Sequence, residues 1–289
     1  MAEVRQVREL IASQPTVEGA GVRLRRVFGF GGVERFDPFL LLDHFGSSNP
    51  EDYLAGFPWH PHRGIETITY MLDGLVEHGD SLGNSGTIGG GDVQWMTAGS
   101  GIIHQEMPRP GPSGQMWGFQ LWANLPASQK MMDPRYRDLS SDMIPEVGLP
   151  GGGRAKVIAG SIGGASGPMD DIVIAPELLD LGLPPGGGFV HPTPRGHTLF
   201  VFVFEGAASF GGEQVPRGHL ALMGAGDSLV AEAGKEGARF LLVSGKPLGE
   251  PIAWRGPIVM NTQAELQLAF EEFRAGTFVK VGAKGALRR

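Results

Sequence analysis

Short apolar runs broken by turn residues set the rhythm of this chain. In the first half these runs fall in DPFLLLDHF (37–45), HPHRGIETITYMLDGLVEHGD (60–80), VQWMTAGSGIIHQEMP (93–108) and GFQLWANL (118–125). Thr67, Thr69 and Tyr70 are good strand formers, and Gly-rich stretches such as SLGNSGTIGGGD close the runs. The second half repeats the texture in GRAKVIAGSIGG, DIVIAPELLDLGL, HTLFVFVFEGAASFGG, HLALMGAGDSLVAEA and ARFLLVSG. Many short strands at regular spacing predict an all-β sandwich or barrel. The halves also echo one another. HRGIETITYMLDG parallels RGHTLFVFVFEG, and IGGGDVQWMTAG parallels PRGHLALMGAGD, which is consistent with duplication of one β domain. Between them, residues 133–152 are polar and rich in Pro and Gly. The expected domains are therefore 1–132, a linker at 133–152, and 153–289. Near the end the period changes. Thr262 followed by Glu265 resembles a capping box, and Leu266, Ala269, Phe270 and Phe273 recur at helical spacing, so a helix is expected over 262–275.

Composition narrows the function classes. Gly (47) and Pro (22) make roughly a quarter of the 289 residues, while hydrophobic residues still reach 41%. That combination suits a turn-rich β protein and disfavours long helices, where Gly and Pro are costly. Net charge is -7 and no Lys/Arg run exceeds two residues, so no nucleic-acid footprint is visible. With 0 Cys there is no thiolate ligand, nucleophile or disulfide framework. The N-terminal MAEVRQVRELIASQP lacks a signal-peptide apolar core, and no apolar stretch approaches a membrane span. A cytoplasmic protein without membrane or direct nucleic-acid partners is the expectation. Nucleotide-binding glycine motifs and a G-x-S-x-G elbow are both absent.

The candidate chemistry lies in the histidines: His44, His60, His62, His78, His104, His191, His197 and His219. His60 and His62 are spaced i, i+2, and so are His104 and Glu106. On strands each pair shares one face. Two strands could aim three imidazoles and one carboxylate at a single point. Glu66, with the parity of His60 and His62, is a rival carboxylate. Such a donor set suits Fe, Ni, Cu, Mn or Zn, and four protein donors leave open positions on a six-coordinate ion. Trp59, Trp95, Trp117 and Trp122, with Phe45, Met71, Met96, Met107 and Gln115, are candidates for core or for a substrate pocket; Trp59, Met71, Trp95 and Gln115 form the expected pocket set. Arg63 should face away from the metal, in a surface ion pair. His44 and His78 are expected to be structural or exposed, and His191, His197 and His219 to be loop or core residues.

H60-x-H62-x3-E66 with Gly74 beyond resembles the first cupin motif, and Gly91 to His104 resembles the second, with Thr97 where a Pro is usual. The closer resemblance is to the pirins. HPHRGIETITYMLDG and GDVQWMTAGSGIIHQEMP are similar to their two signatures, and DPFLLLDHFG and GPIVMNTQAEL also match. This resemblance implies a bicupin of two face-to-face antiparallel β-barrels (jelly rolls) with a short C-terminal helix. It implies metal in the first barrel alone, held by His60, His62, His104 and Glu106, so that Glu66 loses its ligand role. It also implies quercetin 2,3-dioxygenase chemistry on a flat phenolic substrate. The flavonol would be bound to the metal, Glu106 would be the candidate base for its 3-hydroxyl, and dioxygen would open the ring with loss of carbon monoxide. Fe(II) is the first expected ion. The family equally implies a second role, as a metal-containing regulator that binds a transcription factor or a metabolic enzyme. With two barrels in one chain, a monomer is expected.

Overall fold

The computed structural model describes residues 2–169 and 172–280. The chain is mostly β and divides into two compact units. One unit comprises Pro15–Val33, Phe39–Ser141 and Leu248–Arg289; the other comprises Met1–Gln14, Glu34–Pro38 and Asp142–Pro247. Of the residues expected in the second domain, Asp170, Asp171 and 281–289 lie outside those described.

The first unit holds two large antiparallel sheets and a small two-stranded one, Ala253–Arg255 with Ile258–Met260. Seven strands run in the order Arg135–Leu139, Val93–Thr97, Ile65–Asp73, Met116–Asn124, Phe39–Ser47, Val22–Phe28 and Gln14–Glu18. Four more run in the order Phe57–His62, Ile102–Arg109, Leu75–Asp80 and Ser85–Ile88. Alternation drives the pattern: in Ile102–Arg109 every second side chain is buried, from Ile102 through His104 and Glu106 to Pro108. Val22, Leu24, Phe45, Met71, Val76, Ile88 and Met116 pack as one apolar cluster. Leu40, Ile65, Met96, Ala98, Ile102 and Val259 form another.

The turn after the Phe57–His62 strand is tight. Gly64 has φ +78°, and a Cβ there would lie 2.0 Å from the Val259 carbonyl oxygen, so only glycine fits. The same spot is tied by the buried Lys130, whose Nζ donates to Gly64 O (2.8 Å), Asn124 Oδ1 (2.6 Å) and Val259 O (3.1 Å). Burial lowers the Lys130 pKa to about 7.

The other unit holds a nine-stranded antiparallel sheet, with the short pair Ser161–Ile162 and Ala165–Ser166 beside it, around an apolar cluster that includes Leu179, Leu181, Val201, Val203, Phe210, Phe240 and Leu242. Its strand Val7–Ala12 comes from the N-terminus and pairs with His219–Met223.

The division differs from the boundaries read off composition. The polar stretch 133–152 contributes a strand to each unit. Arg135–Leu139 pairs with Val93–Thr97, and Glu146–Gly148 pairs with Arg154–Lys156. Both are outermost in their sheets, where one-sided burial permits a polar composition. The helix is found at Gln263–Arg274, with the full Thr262/Glu265 capping box and Leu266 and Ala269 buried. It belongs with the first unit, because its apolar face packs with Ile258, Met260 and Phe278. No helix of the described residues is long and apolar enough to cross a membrane.

Candidate metal centre

His60 and His62 end the Phe57–His62 strand, and His104 lies directly opposite His60 on the neighbouring strand. One ligand atom from each of the three histidines lies within 4.8 Å of the others. The expected i, i+2 geometry thus brings three imidazoles to one point. Their hydrogen bonds are unequal. His60 Nδ1 faces the Pro58 carbonyl at 2.9 Å and His62 Nδ1 faces the Pro257 carbonyl at 3.0 Å. A carbonyl can only accept, so both Nδ1 atoms donate, and a neutral ring is then left with a bare lone pair on Nε2. Those two Nε2 atoms approach to 3.1 Å. His104 is 1% exposed, and neither of its ring nitrogens has a hydrogen-bond partner. Two facing lone pairs beside an orphaned buried imidazole would repel one another in the absence of a cation. The donor set fits a divalent transition ion.

Electrostatics point the same way. Burial and the neighbouring His60 push His62 well below the ordinary histidine pKa, and burial with the adjacent rings does the same to His104. Both stay neutral, as a metal ligand must. In the metal-free protein this has a signed consequence. An unfolded imidazole titrates near ~6.5, so just below that pH the unfolded chain binds protons that folded His62 and His104 refuse. Stability of the metal-free protein is expected to fall as pH drops through that range, by up to about 1.4 kcal/mol per pH unit for each ring. Urea midpoints at pH 7.5 and 5.5 after chelation measure it, and a flat profile would contradict the neutral assignment.

Glu106 is buried on the same strand as His104, with Thr69 Oγ1 at 3.2 Å from its Oε1. Burial raises its pKa, opposed by His60 and by the Thr69 hydrogen bond. It lines the same cavity as the histidines, although the tight cluster of ligand atoms comprises the three imidazoles. Glu66 is elsewhere. Its Oε1 accepts from Thr97 Oγ1 at 2.7 Å, and it does not line the cavity. The turn at Gly64 puts Glu66 on a different strand from His62, so parity does not carry across.

The cavity measures about 570 Å³. Its walls differ from the expected set. Trp122, Trp254, Phe30, Phe45, Leu24 and Leu41 supply the apolar lining. Trp122 meets His62 edge-on at 5.0 Å, Trp254 follows at 5.9 Å from Trp122, and Phe30 lies 5.5 Å beyond, itself 75% exposed. None of Trp59, Met71, Trp95 and Gln115 lines this cavity. Trp59 is 45% exposed, Trp95 and Met71 are buried core residues, and Gln115 follows a turn in which its N–H donates to Ser113 Oγ. Met96 is also core, and Trp117 donates to His44 Nε2 at 2.8 Å. His78 is buried, 3.0 Å from Asp138 and stacked on Tyr136. Arg63 does not line this cavity, and it is 2% exposed, so in place of the expected surface ion pair it makes an inward one with Glu272 (2.7 Å).

The second unit has the same framework without the ligands. His60-Pro-His62-Arg-Gly64 corresponds to Pro192-Thr-Pro194-Arg-Gly196. Pro192 pairs with Ser228, where His60 pairs with His104. His191 is bonded to Glu177 at 2.8 Å, and among the described residues the three-histidine cluster has no counterpart there.

Comparison with known proteins agrees with this layout. The pirin family model matches residues 21–123, and the pirin C-terminal cupin domain matches residues 178–279. The chain belongs to the pirin family. Its two matched segments make two cupin-type domains. A pirin-like protein of Caulobacter vibrioides is 44% identical over 276 residues, covering 95% of this chain and 99% of that one. Human pirin is 38% identical over 281 residues, covering 95% and 94%. A crystal structure of quercetin 2,3-dioxygenase from Acinetobacter baumannii superposes with TM-score 0.88 at 33% identity, covering 95% of this chain and 98% of that one. Within this pirin, Trp254 and Pro257 are site residues that the sequence reading missed. They lie far along the chain, in a stretch without histidine.

Proposed function

We propose that this pirin is a metal-dependent dioxygenase acting on a flat, phenolic, flavonol-type substrate, with His60, His62, His104 and Glu106 as the metal-holding residues. The observation that carries this reading is His104, buried and unpartnered at both nitrogens beside two facing Nε2 atoms. A divalent transition metal, Fe(II) first among them, would supply Lewis acidity and redox capacity with coordination positions to spare. The Pro58 and Pro257 carbonyls fix the tautomers of His60 and His62 so that Nε2 faces the site. Glu106, raised in pKa and steadied by Thr69, is placed to accept the proton of a phenolic hydroxyl in the cavity. Trp122, Trp254 and Phe45 give a flat ring apolar surface to lie against and keep water from it.

The test is dioxygen uptake with quercetin by tag-free protein reconstituted with Fe(II), alongside metal analysis. Metal-dependent uptake is expected. A fully loaded protein that consumes no dioxygen with quercetin or other flavonols would overturn the enzyme reading and leave the regulatory role of some pirins. Glu106→Gln is expected to lower the rate about a hundredfold while protein still binds metal. A variant with metal and full rate would remove Glu106 from the proton transfer.

A further inference from the structure

The cavity beside the three histidines carries an ionic group that the proposed chemistry does not use. Arg26 is the sole Lys or Arg side chain among the residues lining it, and Glu18, Asp43 and Glu106 line it as well. Three of the guanidinium's donors are already engaged. Nε donates to Asp43 Oδ1 at 2.9 Å, Nη2 to Asp43 Oδ2 at 2.7 Å, and Nη1 pairs with Glu18 Oε1 at 2.8 Å. Two carboxylates against one guanidinium leave the group with one net negative charge. The arrangement is rigid, because a bidentate fork fixes Arg26 against Asp43.

Register places this group relative to the histidines. Arg26 pairs with Asp43, Asp43 with Gln120, and Gln120 with Thr69 on four consecutive strands. Thr69 Oγ1 lies 2.9 Å from Gln120 Oε1 and 3.2 Å from Glu106 Oε1. A polar row therefore crosses the sheet face, ending beside Glu106. Neighbouring strands are about 4.8 Å apart, so Arg26 lies roughly 14 Å along the sheet from Thr69. That is room for a ligand of two or three fused or linked rings. The histidine end points independently to a ligand, through the orphaned His104.

We propose that Glu18, Arg26 and Asp43 act as a charge filter at the far end of the cavity, admitting uncharged hydroxyl-bearing aromatic ligands and rejecting those that carry a sulfonate or carboxylate. The proposal rests on the phenolic-substrate reading and refines it. An uncharged ring hydroxyl can donate to the carboxylates, whereas an anionic substituent meets net negative charge and a guanidinium already bonded to two acceptors. Like charges brought together in a partly desolvated wall are strongly unfavourable.

Equilibrium binding of quercetin and of quercetin sulfonate to the metal-loaded protein, without dioxygen at pH 7, tests this through quenching of tryptophan fluorescence. The wild-type chain is expected to prefer quercetin by about tenfold or more. In the double variant Glu18→Gln with Asp43→Asn, the sulfonate is expected to bind about tenfold tighter than to wild type, so that the preference for quercetin is lost. Glu18→Gln alone, at a more exposed position, should shift the ratio in the same direction and covers a folding failure of the double variant. Equal wild-type affinities, or variants that weaken both ligands alike, would overturn the filter. Dioxygen uptake with quercetin separates the two readings. A ratio of one with uptake intact removes only the filter, while a preserved ratio without uptake removes only the dioxygenase. Absence of binding by either ligand would remove both.

Discussion

Replacing His104 by leucine is expected to abolish metal binding and yet leave the metal-free protein as stable as before, or more so. Both ring nitrogens of His104 are buried without a partner. An unsatisfied buried polar group carries a desolvation penalty of about 1–3 kcal/mol, and leucine lifts it while filling much of the same volume. His60 and His62 differ, because each already donates to a proline carbonyl. Loss of one of three imidazoles should weaken metal binding by more than the roughly 10–100-fold caused by losing an outer supporting partner. Metal analysis of the purified variant and urea unfolding after chelation read the two halves of this result. Retention of stoichiometric metal would remove His104 from the donor set. A metal-free variant that loses more than about 2 kcal/mol would show that its nitrogens are satisfied.

Arg63→Ala is expected to destabilise the protein by about 3–5 kcal/mol, far above the usual effect of a surface arginine. Arg63 Nε donates to Ser100 O at 2.7 Å, Nη2 donates to Phe278 O at 2.8 Å, and Nη1 pairs with Glu272 at 2.7 Å. Its guanidinium also lies 4.2 Å from the centroid of the Phe278 ring. Removal leaves two buried carbonyls without their donor and the Glu272 carboxylate without its partner. Arg63→Lys should rescue little of the loss, since an ammonium cannot reach three directions from one plane. Chemical denaturation of both variants measures this. A loss below about 1 kcal/mol for Arg63→Ala would mean that the C-terminal segment is held by other contacts.

These two residues, close in space to one site, were unequally legible in the sequence. The i, i+2 spacing of His60 with His62 and of His104 with Glu106 is a strand signal, and strand pairing then converts it into a cluster. Arg63 follows His62 directly, and parity gave its direction but not its depth. What buries it is chain from beyond residue 270, and no local pattern encodes that contact. Lys130 was hidden for the same reason, since its acceptors come from Gly64, Asn124 and Val259. The cavity wall was the poorest reading. Aromatic type alone does not say which side of a strand faces inward, so Trp95 became core while Trp122 lines the cavity. Asp43 did carry a signal: a charged residue set between Leu41 and Phe45 on one face of an apolar strand. The stretch 133–152 is polar because its strands are outermost in their sheets, so composition marks it as a linker while strand pairing divides it at Ser141.

The carbonyl that orients His62 belongs to Pro257, almost two hundred residues downstream. The metal-bearing domain is thus discontinuous in the gene, with the bulk of the other domain inserted between Ser141 and Leu248. A fragment that ends at residue 141 would contain all three histidines, yet it would lack the Pro257 acceptor, the Phe278 and Glu272 anchors of Arg63, and Trp254. Recombination between relatives therefore has to treat the tail from Leu248 onward as inherited with the first domain. A single crossover at mid-chain would separate a ligand from the residue that aims it, and exchange of 142–247 alone would part His219–Met223 from its N-terminal partner strand Val7–Ala12.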